Sequence, residues 1–174
     1  MVASITGVII SSVVIVSYFW QQQQILAKLQ QQAKEEEEAR QQALELEQKR
    51  KESVNSISVE LTKLTTEKTS SYFSADIELN IHNKGTFTVS LDKATITLFL
   101  NSVNVQTKGF QEEILVIGAN EYATYTATMV TFDDDGVRSL QDASEYSVIL
   151  ELSADAKCES YSSAIRVQDK GTWS

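Results

Sequence analysis

Three patterns of apolar and polar positions succeed one another along the chain. From Val2 to Trp20 the sequence VASITGVIISSVVIVSYFW carries no Asp, Glu, Lys or Arg, and only Ser, Thr and Gly relieve its Val and Ile. From Gln21 to Glu52 the residues are mainly Gln, Glu, Lys, Ala and Leu, all good helix formers, with no Gly or Pro among them. From Ser53 onward the charge thins and apolar positions recur with period two. Ile57, Val59 and Leu61 open this pattern, and Phe73, Ala75, Ile77, Leu79 and Ile81 continue it. Phe87, Val89 and Leu91 follow, then Ile96, Leu98 and Leu100, then Val103 and Val105. Ile114 to Ile117 is a short apolar run, and Tyr122 to Phe132 is a long Thr- and Tyr-rich one. After a loop over Asp133 to Gly136 and a short helical turn over Val137 to Ala143, Tyr146 to Leu152 alternates again, and Ile165 and Val167 mark a last strand. Alternation of this kind is the mark of half-buried strands. Asn83-Lys84-Gly85, Asn101-Ser102 and Gly118-Ala119-Asn120 are turn signals between them, Gly85 being free to take positive φ. Seven or eight short strands separated by turns predict an all-β antiparallel sandwich preceded by a long helix.

The first run is read as a transmembrane helix. Nineteen residues rise roughly 28 Å, the thickness of a bilayer's hydrocarbon core. Tyr18, Phe19 and Trp20 close the run where amphipathic rings favour the lipid boundary. Val2, Gly7, Ile10, Val14, Tyr18 and Trp20 are its anchoring positions. Ala3, Gly7 and Ser11 fall at four-residue intervals, a small-residue face that lets two helices approach. Three other readings compete. A cleaved signal peptide wants a basic n-region and a small-residue cleavage site, and neither is present. A buried core helix wants packing segments beside it, whereas a Gln-rich charged stretch follows. A pilin-type segment shares the hydrophobic run but wants a basic residue and Gly at a processing site, which has no counterpart here.

The second pattern predicts a helical stalk of about 45 Å over residues 21–52. Glu36–Arg40, Glu45–Lys49 and Glu47–Lys51 are spaced i,i+4 with the acid first. A coiled-coil seam through Ile25, Leu29, Gln32, Glu36, Ala39, Ala43 and Leu46 is polar in its middle, so pairing would centre on Ile25 and Leu29. A solvated linker is the plainer alternative. The chain thus divides into a membrane helix (1–20), a charged stalk or linker (21–52) and a β domain (53–174).

Composition narrows the partners. The 174 residues carry a net charge of −9, which argues against nucleic acid, whose phosphates repel it. The lone cysteine, Cys158, placed by the pattern near a strand start, cannot form an internal disulfide.

The run SADIELNIHNKGTFTVSLDKATITLFLNSVNVQTKGF, followed by ILVIGANEYATYTATM, resembles the LEA-2 family, the late-embryogenesis-abundant type 2 or water-stress and hypersensitive-response domains. Asn83 to Gly85 occupies that family's turn, Asn101-Ser102 its hairpin and Gly118 to Asn120 its later turn. The family's turn is usually Asn-Pro-Asn, and here His82-Asn83-Lys84-Gly85 has no Pro. The resemblance covers roughly Val54 to Val167. It implies an immunoglobulin-like β-sandwich, often tethered by one N-terminal membrane helix and facing outward, with no catalytic activity.

No constellation of residues adds chemistry. One His and one Cys exclude a zinc site of several such ligands. His82, the only histidine, falls opposite in phase to Ile81, on an exposed face with no visible nucleophile or orienting partner. Asp133-Asp134-Asp135-Gly136 is a bare acidic run, and a solvated turn explains it better than a calcium loop. The expectation is therefore no catalytic residue, no metal and no cofactor. The partners expected are membrane lipid through the N-terminal helix, a protein partner or assembly for the β domain, and a second copy through the helix. Lipid handling by the sandwich and an archaeal cell-surface, pilin-like or archaellum-associated role stand as alternatives. Orientation is not set by charge: Lys28 and Lys34 just past the run favour a cytoplasmic β domain, while the resemblance favours an extracytoplasmic one. No Asn-x-Ser/Thr sequon marks an outside location.

Overall fold

The computed structural model describes residues 2–69, 71–110 and 114–173, with only the backbone described for residues 2–17. The chain forms one long helix, α1 (Val2–Asn55), then eight strands and one short helix. The elements are β1 (Ile57–Lys68), β2 (Phe73–Asn83), β3 (Val89–Leu100), β4 (Val103–Gly109), β5 (Ile114–Ile117), β6 (Tyr122–Thr131), α2 (Asp134–Gln141), β7 (Tyr146–Cys158) and β8 (Tyr161–Trp173). Two compact units result, residues 1–46 and residues 47–174. In the first, every described side chain of α1 is exposed. The helix there is held by its own backbone bonds, its helix formers and side-chain pairs such as Gln31 with Glu35.

The second unit is built of two antiparallel sheets, β1-β2-β6 and β4-β3-β7-β8, with β5 also paired to β3. Alternate residues of both sheets meet in one core, where Phe73, Leu79, Ile81, Leu91, Leu98, Leu100, Leu150 and Leu152 are fully buried. Leu79 and Leu98 thus point inward as the alternation predicts, while their neighbours Glu78 and Thr97 lie on the outer faces, only half-buried.

Two strands are longer than their alternation suggests, for one reason. In β3 the buried positions are Val89 and Leu91, then Ala94, Ile96, Leu98 and Leu100, so the phase changes from odd to even. The register shifts between Asp92 and Thr95, and Lys93 takes φ 51° there. A bulge that adds one residue keeps both halves facing the core. It sits where the partner of β3 changes from β5 (residues 89–92) to β4 (residues 95–100), so β4 and β5 lie end to end along one edge of β3. In β1 a shift between Leu61 and Lys63 does the same, and the inward position moves to Leu64. The sequence pattern, read at constant phase, stops β1 at Leu61 and splits β3 in two.

Other boundaries also move. Phe87 lies in the loop before β3 rather than in the strand, its N–H donating to Ser53 Oγ. The expected loop over Asp133 to Gly136 is the start of α2: Asp133 is its N-cap, accepting from Gly136 N at 2.8 Å, and Asp134 and Asp135 occupy its first turn. Acidic residues there complement the helix dipole, which accounts for the acidic run without a ligand. Cys158 ends β7 rather than beginning a strand.

Candidate functional site

Two places in the second unit gather polar groups for a purpose beyond covering a sheet. The first is the end of α1. Ser53 and Val54 are buried. Arg50 donates from Nε to Glu159 Oε2 at 2.7 Å and from a guanidinium nitrogen to Ser160 Oγ at 3.3 Å, in the two-residue turn between β7 and β8. Ser53 Oγ accepts from the backbone N–H groups of Thr86 and Phe87, both at 3.2 Å. Gly85 is required by space, not by φ, for no described glycine has positive φ and a Cβ there would collide with the backbone of Ser53. Asn83, fully buried, secures the same region: its Nδ2 donates to the carbonyls of Phe87, Ile117 and Gly118, and its Oδ1 accepts from Gly85 N. One side chain therefore ties the β2–β3 loop to the β5–β6 loop.

The second place is the side of the unit where β6, the edge of the smaller sheet, runs beside β4. Asn83 N–H donates to Glu121 O, and the pairing continues as Ile81 with Ala123 and Leu79 with Tyr125. In an antiparallel ladder bonded pairs alternate, so the odd-numbered residues of β6 turn their backbone groups to β2 and the even-numbered ones turn theirs to the free edge. That edge is treated differently along its length. At one end Val130 N–H donates to Gln106 Oε1 at 3.0 Å, and Lys108 Nζ donates to Thr128 O at 3.4 Å. Side chains of β4 thus occupy the backbone groups. At the other end, among the described residues, Thr124 and Thr126 show no backbone partner on that edge. There the two sheets part around a groove of about 350 Å³, floored by Phe110, Leu115, Ala123 and Tyr125 and bordered by Thr124, Thr126 and Lys108. Phe110 and Tyr125 stand with ring centroids 4.2 Å apart. Among the described residues of that lining, Lys108 is the one that is charged.

The outer faces are polar. On the smaller sheet a shallow hollow of about 440 Å³ is bordered by Lys63, Asp76, Glu78, Lys108 and Thr128, where Thr128 Oγ1 donates to Asp76 at 2.6 Å. Its two lysines and two carboxylates balance. On the larger sheet Glu151, largely buried, accepts from Arg166 and from Gln168, both at 2.7 Å. The Arg166 hydrogen bond holds its carboxyl below the ordinary carboxylate range, against the opposing effect of burial.

The residues singled out by sequence fall elsewhere. Val2, Ala3, Gly7, Ile10, Ser11 and Val14 lie outside the described side chains. Tyr18, Trp20, Ile25 and Leu29 are exposed on α1. Among the described residues no helix is long and apolar enough to cross a membrane, and no group of three His, Cys, Asp or Glu side chains converges as a metal site would require. His82 sits on the outer face between Ser58 and Tyr122. Cys158 is buried; burial pushes its thiol above the ordinary value, Glu159 adds to this and Arg50 opposes it. The sequence held a partial sign of the groove: the clustered Tyr and Thr of Tyr122 to Thr131 suit a lipid or partner groove as well as a sheet face, and Ala123 to Thr126 of that run do border it. That Phe110 and Leu115 would meet Tyr125 was not legible, because they come from separate parts of the chain.

No family model matches the chain, and no curated protein does. Solved structures similar in fold include a protein from Archaeoglobus fulgidus (8% identity, 66% of this chain and 96% of that one, TM-score 0.39). They also include a protein from Arabidopsis thaliana (9% identity, 66% and 79%, TM-score 0.47) and one described as a late embryogenesis abundant (LEA) protein (8% identity, 67% and 70%, TM-score 0.43). At these scores the likeness assigns neither family nor function.

Proposed function

We propose that this chain is a non-enzymatic, membrane-anchored protein. In this reading an apolar N-terminal helix and a helical spacer carry an immunoglobulin-like, LEA-2-like sandwich that engages a protein partner or assembly. The observation that supports it is the built end of α1: a helix exposed along residues 18–49 finishes, over residues 50–55, in hydrogen bonds that Arg50 and Ser53 make to loops of the β unit. These bonds make the last residues of α1 part of the β unit itself.

The spacer tests the reading. The chain should remain with membranes after alkaline carbonate extraction, and deletion of residues 2–20 should release it. Deleting Glu35 to Gln41 shortens a helix by about 10 Å and turns it by only about 20°. In-cell crosslinking to the partner should fall, and a replacement of equal length made from other helix formers should restore it. Normal crosslinking by the shortened chain would reduce the spacer to a linker, and release of the intact chain by carbonate would remove the anchor from the proposal.

A further inference from the structure

We infer that residues 25–46 of α1 pair, in parallel and in register, with the same stretch of a second copy of this chain. This deepens the anchored-module reading above and takes its parallel sense from the anchor. Three features of the stretch select this occupant.

The first is exposure. Ile25, Leu26, Leu29 and Leu44 are each more than half exposed, and Leu46 is 42% exposed. No described residue covers them, whereas a helix of a folded protein turns such residues toward a partner. The second is their phase. Ile25, Leu29, Ala39, Ala43 and Leu46 fall on one line of alternating four- and three-residue steps, interrupted by Gln32 and Glu36. Helix pairs are built on such a line. Leu26 flanks it, and of the large aliphatic residues only Leu44 falls outside it. The line stops at Leu46, because Arg50 and Ser53, next in phase, are engaged within the β unit.

The third is the order of charges beside the line. With Ile25 at d and Leu29 at a, Glu35 falls at g and Arg40 at the following e. In a parallel pair in register, each Glu35 meets Arg40 of the second copy. A slip of one heptad would set Lys28 against Arg40 and Glu35 against Glu47 instead. The charges therefore select the register. Glu36, at an a position, faces its own counterpart inside the seam, which keeps the pair weak. A helix of another protein would need the same line and the same charge order, whereas a second copy has both by symmetry. Anchored in the same membrane, it is also held close by.

The test uses the full-length chain, purified and reconstituted at low density in phosphatidylcholine vesicles, under mild copper-phenanthroline oxidation. The parent is the control, since Cys158 is buried. Ala39→Cys and Ala43→Cys should each give at least tenfold more disulfide-linked dimer than Gln41→Cys and Leu44→Cys, which lie off the seam. Linkage at both seam positions fixes the sense, since an antiparallel pair brings at most one of them opposite its own counterpart. In the Ala39→Cys chain, Arg40→Glu should lower the yield about threefold, and adding Glu35→Arg should restore it. Glu36 loses its i,i+4 neighbour in both of these variants, so recovery reads the pair between copies. Glu36→Gln should raise the yield. The proposal fails if no variant yields dimer, if seam and outer positions yield alike, or if the exchanged charges restore nothing. It also fails if Ale39→Cys in cells joins another protein and never its own copy. A chain that survives carbonate extraction and still crosslinks to its partner, while its seam cysteines stay apart, would keep the anchored module and remove the pairing. A chain released by carbonate yet joined at both seam positions would keep the pairing and remove the anchor.

Discussion

Two stretches of one helix are held by different physics. Along residues 18–49 of α1 every side chain is exposed, including Leu26, Leu29 and Leu44. Among the described residues that stretch is held by local preference: helix formers, i,i+4 pairs and the cooperative backbone ladder. Over the last six residues, 50–55, Arg50 is half-buried, Ser53 and Val54 are buried, and side-chain bonds reach two loops distant in sequence. The comparison shows that a helix boundary in the sequence need not be a boundary of the folded unit. Helix-forming residues cross into the β unit without a break in composition, and the unit begins at Glu47.

The largest expected contrast lies between core and exposed helix. Leu79→Ala and Leu98→Ala should each cost about 2–5 kcal/mol, since both side chains are fully buried. Leu26→Ala and Leu29→Ala should change the stability of the β unit by less than about 0.5 kcal/mol. Urea melts followed by near-ultraviolet circular dichroism would measure both. Equal losses would mean that the helix has a packed partner and that the comparison is wrong.

A smaller contrast concerns the joint itself. Asn83→Ala removes the donor that the carbonyls of Phe87, Ile117 and Gly118 share, in one buried and two part-buried bonds, and should cost about 2 kcal/mol. Arg50→Ala should cost about 1 kcal/mol, and Arg40→Ala, on the exposed stretch, almost nothing. Hydrogen exchange at Thr86 and Phe87 would locate the effect, rising for Asn83→Ala and Arg50→Ala and staying level for Arg40→Ala.

The smallest effect compares two ion pairs. Glu38 and Lys34 lie 3.9 Å apart on the exposed helix, whereas Glu151 is largely buried under Arg166 and Gln168. The folded carboxyl of Glu151 titrates below its unfolded value, so its contribution is present above that value and is lost as pH falls through the folded one. Glu151→Gln should therefore lower stability at neutral pH, and its difference from the parent should shrink below about pH 4. Glu38→Gln should show no such convergence. Parallel melts from pH 7 to pH 3 would decide between them.

Much of the β unit was legible because alternation is local. Period-two burial placed Leu79, Ile81, Leu98 and Leu150 inward from residue type alone, and turn residues placed the β3–β4 hairpin, where Asn101 and Ser102 take φ 50° and 70°. The helix formers of residues 21–52 likewise specify their conformation without help from elsewhere. Tertiary structure decided what alternation cannot encode. A bulge at Lys93 or Thr62 reverses the phase, and only the partner strand reveals that both halves belong to one strand. The need for Gly85 comes from the backbone of Ser53, thirty-two residues earlier in the chain, and not from its own dihedral angles. The acidic run at Asp133 became a helix cap once α2 was seen to start there. The groove beside β6 lies where β4 and β5 meet end to end along one edge of β3, a pairing of distant residues. Each of these depends on groups brought together from distant parts of the chain, and the period of a sequence carries no information about which distant residues will meet.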